Sequence, residues 1–259
     1  MYSNLDSILF IHSDILQDMN FQKMFGTDSS NGLLLLANSL IFGILLFYAL
    51  KFAISHLTYS KIDSPYQFIF KCIIFVACMN SSLWLCEKLI EFISFISDFI
   101  NKLGNSITGY EINFSTFINY INSALYSTLE TFDIFSFDGL LKILSTFGFL
   151  YIFLSYSVRY IMCKILVLLS PFAFLTLIHN QLDGFFKGWL KQFLILLLMQ
   201  IFVSIVLTLG FCLSIYAGNS LFKIFYLAIL VIIARCNYYL KEIFSHIYKF
   251  SKNQLNDFI

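Results

Sequence analysis

Cysteine and histidine are the side chains best suited to ligate a metal or attack a substrate, and this chain has six of the first and four of the second. Cys72, Cys78, Cys86, Cys163, Cys212 and Cys236 lie in or beside apolar runs, and none forms a CxxC pair. None of His12, His56, His179 and His246 stands at metal-ligand spacing from them. The placement suits buried thiols acting as small hydrophobes. Paired carboxylates are the next chemistry to weigh, and Glu87 with Glu91 and Asp133 with Asp138 are the pairs present. Both fall in polar segments, where a solvated face explains them better than a general acid and base. Phosphate-cradling GxxxxGK[ST], zinc-protease HExxH and nucleophile-elbow GxSxG patterns do not occur. The residues therefore predict no catalytic group, no metal site and no cofactor.

The elements that would have to position any site are built from apolar mass. Of 259 residues, 59% are hydrophobic and 12% charged, with a mean hydropathy of +0.82. Soluble domains carry roughly 25% charged residues, and a water-soluble enzyme of this length could not bury so much apolar surface. A net charge of +1 gives no general affinity for nucleic acid. The composition predicts an all-α, polytopic membrane protein.

A crossing helix needs about 20 mostly apolar residues. Ser29 to Leu50, uncharged, is the first predicted span, with Asp28-Ser29-Ser30-Asn31 supplying capping residues. The second is Tyr66 to Cys86, after a polar hairpin holding Lys61 and Asp63; the third is built on Ile143 to Val158. Gln192 to Phe222 is uncharged but too long for one span, so a turn at Tyr216 to Ser220 divides a fourth span, Gln192 to Ile215, from a fifth, Leu221 to Tyr239. The run Ile165 to Ile178 is short and holds Pro171, which predicts a re-entrant or broken helix. A full crossing there would make six spans instead of five.

Outside the spans, residues 1–28 read as an amphipathic surface helix carrying Leu5, Ile8, Leu9, Ile15, Leu16 and Met19. Residues 87–139 read as amphipathic helices lying on the membrane or on partner subunits. Their stripes are Leu89, Phe92, Ile93, Ile96, Phe99, Ile100 and Leu103, then Phe114, Phe117, Ile118, Ile121, Leu125 and Phe132, with Gly104 and Gly109 as breaks. Residues 140–240 form a three-helix core around the broken element 165–178, and 241–259 a basic amphipathic tail. With the N-terminus outside, the five-span arrangement puts 11 of the 16 basic residues on the cytoplasmic side. The predicted localisation is the cytoplasmic membrane, with the N-terminus and 87–139 outside and the C-terminus inside.

The most informative block is Ser157 to Gln200. Pro171 removes a backbone donor inside an apolar stretch, and irregular backbone at membrane depth must be buried in protein or line a wet cavity. Arg159 and Lys164 snorkel from a span end or, if they face the bundle, mark a pathway. Arg159, Lys164, Ser170, Pro171 and Phe172 are thus the candidate broken-helix, pore or packing residues, and Trp189 the candidate interfacial anchor.

Arg159-Tyr160, then Leu168-Leu169-Ser170-Pro171-Phe172-Ala173, then Phe185-Phe186-Lys187-Gly188-Trp189, resembles the central signature of the TrbL-type family, polytopic inner-membrane subunits of type IV secretion and conjugal transfer systems. The resemblance covers about residues 140 to 215. It implies a non-enzymatic channel or scaffold subunit present in several copies, as a homo-oligomer and possible ring. The implied partners are other inner-membrane type IV secretion subunits, secretion ATPases, a coupling protein and the lipid bilayer. Nucleic acid enters only as transported substrate, with attached relaxase, or is replaced by a protein substrate. The alternative is a secondary transporter or permease subunit for a small solute. Transporters often carry interrupted helices in corresponding halves, and Pro171 has no counterpart in a first-half span.

Overall fold

The computed structural model describes residues 3–27, 32–58, 65–126, 137–178, 183–214 and 219–257. The capping residues 28–31, the hairpin residues Lys61 and Asp63, Phe132, Asp133 and the turn residues Tyr216 to Gly218 lie outside them. All regular structure among the described residues is helical: α1 (Ser3–Leu9), a 3₁₀ turn (Ser13–Leu16), α2 (Met19–Phe25), α3 (Leu33–Thr58), α4 (Pro65–Asn80), α5 (Ser82–Thr108), α6 (Phe114–Tyr126), α7 (Phe137–Thr176), α8 (Asp183–Ser214) and α9 (Asn219–Asp257). Among the described residues, four helices are long and apolar enough to cross a membrane, in α3, α7, α8 and α9, and α4 with α5 adds a fifth if that bent pair is one span. The chain is an all-α polytopic protein. Helix α3 makes the case locally: it is apolar on every side, and Ala37 alone is buried among its described side chains. A helix hydrophobic all round takes lipid as its solvent when protein does not cover it.

The chain divides into two compact units. The first holds residues 1–12, 90–162 and 194–259; the second holds 13–89 and 163–193.

In the second unit, α3 and α4 form an antiparallel pair. Tyr48 stacks on Phe68 with ring centroids 3.6 Å apart, and Asn38 Nδ2 donates to Asn80 Oδ1 at 3.2 Å. The core gathers Ala37, Phe68, Cys72 and Met79 around Leu175 and Ile178. Helix α4 opens at Pro65, whose fixed φ and missing N–H suit a first turn. It breaks at Ser81, not at Glu87, with a 59° bend before α5. Asn80 Nδ2 donates to the Val76 carbonyl at 2.9 Å and Ser81 Oγ to that of Ala77 at 2.9 Å. Such side-chain back-bonding competes with the backbone ladder and bends helices.

In the first unit, α6 begins under a cap from far upstream. Asp6 Oδ1 accepts from Phe114 N–H at 2.9 Å and from Ser115 N–H at 3.3 Å. Its apolar face is not spread on a membrane surface: Phe114, Phe117, Ile118 and Ile121 are buried, with the Phe117 ring 5.3 Å from Tyr226 and 6.0 Å from Phe211. Helix α5 ends at Gly109, where φ is +71°, a conformation glycine adopts without Cβ strain. Gly104 does not break it. A Cβ there would stand 2.8 Å from Thr208 Cγ2, so this glycine lets α5 and α8 approach.

The N-terminal residues are also drawn inward. Leu9 and Ile11 are buried in the first unit, and Leu16, Phe21 and Phe25 in the second. Their apolar side chains find protein instead of the bilayer surface, whereas Met19 faces outward. At the other end, α9 runs on through the basic residues after Lys241 without a break.

Candidate functional site

Helix α7 is continuous through Pro171, so residues 165–178 are not a broken or re-entrant element. The reason lies one residue upstream. Pro171 leaves the Val167 carbonyl without its usual N–H donor, and Ser170 Oγ donates to that carbonyl at 2.7 Å. A neighbouring hydroxyl is one of the groups that lets a membrane helix keep an internal proline. Ser170 and Pro171 are buried, and Phe172 packs on the core formed around Leu175 and Ile178. The forty residues of α7 rise about 60 Å, twice a hydrocarbon core of about 30 Å. A separate sixth crossing within 165–178 has no helix of its own.

Trp189 is not an interfacial anchor. It is 6% exposed and its Nε1–H donates to the Leu166 carbonyl at 2.9 Å, joining α8 to α7 within the second unit. The ring stacks on Phe193 at 5.5 Å and lies beside Phe174 and Phe186, at 5.8 and 5.7 Å. Buried indoles need such an acceptor, and the aromatic surround supplies the apolar contact. Lys164 stands in the same unit with its ammonium 3.7 Å from Asp18, the N-cap of α2, and 5.9 Å from the Phe21 ring centre. It fastens α2 to α7.

Arg159 sits in the interior of α7 and is 2% exposed, so it points into the protein instead of snorkelling outward. In the first unit its Nε donates to the Leu196 carbonyl at 2.8 Å and its Nη1 to the Leu9 carbonyl at 2.7 Å. The guanidinium carbon lies 5.6 Å from the centre of the Tyr156 ring. Gln200, one turn beyond Leu196, accepts the Ile11 N–H on Oε1 at 2.9 Å. The backbone that leaves α1 is therefore non-helical and buried, with the Leu9 carbonyl and the Ile11 amide taken up by side chains of α7 and α8. Tyr156 Oη donates to the Ile233 carbonyl at 3.3 Å, and Cys236 Sγ lies 3.9 Å from the Met199 carbonyl, tying α9 to the same region.

No known protein family, curated protein or solved structure matches the chain.

The residues singled out from the sequence therefore gather in two places. Arg159 belongs to one buried polar cluster, and Lys164, Ser170, Pro171, Phe172 and Trp189 belong to the second unit. Gln200, Tyr156, Asp6 and Asp18 escaped the sequence reading. Gln200 is the only polar amide within its apolar stretch from Phe193 to Ser204, and that isolation was the available signal. Among the described residues no three His, Cys, Asp or Glu side chains converge as a metal site would require. What the arrangement does chemically is hold backbone: Arg159, Ser170, Trp189 and Gln200 each take up a carbonyl or amide in a low-dielectric interior, where an unmet group is costly.

Proposed function

We propose that this chain is a membrane channel or scaffold subunit of a conjugative type IV secretion system, part of the inner-membrane translocation apparatus for DNA–protein or protein substrates. One observation carries the reading beyond the resemblance itself. Three residues that bear the signature, Arg159, Ser170 and Trp189, donate to buried backbone carbonyls, as Tyr156 just outside it also does. In this reading the subunit is non-enzymatic. Its helices supply a rigid framework, copies of it assemble as a homo-oligomer, and secretion ATPases and a coupling protein drive transport. It lies in the cytoplasmic membrane with the N-terminus outside and the C-terminus inside, as the basic-residue count favours.

The test is genetic and direct. Deleting the gene from its conjugative element should abolish transfer of a marked plasmid, and supplying the intact chain in trans should restore it. The chain should also co-purify with a secretion ATPase from detergent-solubilised membranes. Transfer that persists at wild-type frequency in the deletion strain would end this proposal.

A further inference from the structure

Helix α5 carries its faces in the reverse of the order that water selects. Within the first unit, Ser94, Ser97, Asn101, Gly104 and Thr108 recur at alternating steps of three and four residues along one side. That side is turned into the protein. Ser97 is fully buried and its hydroxyl meets that of Ser204 on α8 at 2.6 Å, while Gly104 opposes Thr208. On the opposite side Phe92, Phe95, Phe99, Leu103 and Ile107 form a stripe about 22 Å long, with Phe95 70% exposed. Glu91, Asp98 and Lys102 occupy a third face, between the other two.

In water the small polar row would face outward and the five bulky apolar side chains inward, because unpaired apolar area carries the cost. Here the helix has kept its hydrogen-bonding groups for the protein and offers hydrocarbon outward. We infer that the stripe from Phe92 to Ile107 is seated in the acyl-chain region of a lipid bilayer, with Glu91, Asp98 and Lys102 at headgroup level. Two features favour lipid over a second copy of the chain. Helices meet in membranes through small residues and side-chain hydrogen bonds, and α5 has already turned those residues inward. The stripe left outside is bulky and apolar, and the hydroxyl of Ser106, exposed beside it, is already given to the Leu103 carbonyl at 2.7 Å. Helix α7, a crossing helix of the same unit, likewise exposes Leu140, Leu144, Phe147, Leu150 and Leu154, so bulky apolar residues outward are the rule on this unit's lipid-facing surface. Residues 92–107 are then part of the membrane-embedded protein, not of a water-exposed segment. The inference is independent of the secretion reading.

Tryptophan placed on the helix reads its surroundings. The full-length chain is reconstituted into phosphatidylcholine vesicles as Phe92→Trp, Phe95→Trp, Phe99→Trp and, on the charged face, Lys102→Trp. Each signal is taken after subtracting the emission of the parent protein. The three stripe variants should emit to the blue, be quenched by lipid brominated on its acyl chains, and be little affected by acrylamide. Lys102→Trp should show a weaker lipid effect and a stronger acrylamide one. Acrylamide quenching of the stripe equal to that of Lys102→Trp would overturn the inference by showing water there. Protection of the stripe from both quenchers would also overturn it, by showing that protein covers the face.

Discussion

The Arg159 guanidinium donates to the Leu9 carbonyl at 2.7 Å, across 150 positions of sequence. The same side chain holds the Leu196 carbonyl, so a single residue of α7 fastens both the N-terminal strap and α8. Arg159→Ala should remove both bonds and free residues 9–11. A hydrogen bond from a charged group is worth about 1.5–3 kcal/mol, and a loss in that range is expected. Arg159→Lys should recover only part of it, because one ammonium lacks the planar fork that reaches two acceptors. Hydrogen exchange at the Ile11 amide is the measurement. Equal protection in all three proteins would remove the strap from Arg159's account.

Ser170 and Pro171 should show opposite signs. Ser170→Ala leaves the Val167 carbonyl without its hydroxyl donor, a loss of about 1–3 kcal/mol. Pro171→Ala restores an N–H to that carbonyl and should be neutral or stabilising. The double variant should then recover most of the loss seen in Ser170→Ala. Thermal unfolding in detergent measures all four corners of the cycle. Strictly additive effects would mean that hydroxyl and proline do not share the Val167 carbonyl.

Trp189→Ala should cost about 3–5 kcal/mol, the range for emptying a buried aromatic site. Trp189→Phe keeps the contacts with Phe174, Phe186 and Phe193 but loses the bond to Leu166, for about 0.5–1.5 kcal/mol. Fluorescence gives a separate check, because Trp84 is exposed and Trp189 is not. In Trp84→Phe, the remaining emission should resist acrylamide and lipid quenchers alike.

Asp6 caps a helix that begins more than a hundred residues later. Asp6→Ala should destabilise the first turn of α6 by about 0.5–2 kcal/mol, the usual range for a lost N-cap, and Asp6→Asn should restore part of it. Faster exchange confined to the Phe114 and Ser115 amides is the expected pattern. Unchanged exchange there would separate Asp6 from α6.

The long apolar helices α3, α7, α8 and α9 were legible because apolar runs such as those of α3 and α8 exceed a bilayer's thickness, and length alone distinguishes them from buried soluble helices. Pro171 misled because its effect depends on a hydroxyl one residue away, and sequence shows the proline but not the direction of Ser170 Oγ. Trp189 misled for a related reason: an indole at the edge of an apolar run suits an interface equally well until its N–H is seen on Leu166. The Ser81 break rests on two back-bonding side chains, Asn80 and Ser81, whose residue types also suit a solvent-facing helix end. On α5 the stripe was visible, but its split into an inward Ile93 and an outward Phe95 was not. That split depends on which side Ser97 finds Ser204. Gln200 and Asp6 have partners 189 and 108 positions away, distances at which no spacing rule operates.

The bonds of residues 6–11 also set a schedule for biogenesis. Their partners are Phe114, Arg159 and Gln200, and the last of these follows Ile11 by 189 positions. At about 5–20 residues per second, a ribosome takes roughly 10–40 s to bridge that gap. Throughout it the Ile11 amide lacks its acceptor, although α6 and Arg159 are already made, and closing so long a loop is among the slower steps of assembly. A nascent chain arrested before α8 therefore holds its N-terminal segment by α6 and α7 alone, with the Ile11 amide still unpaired by Gln200.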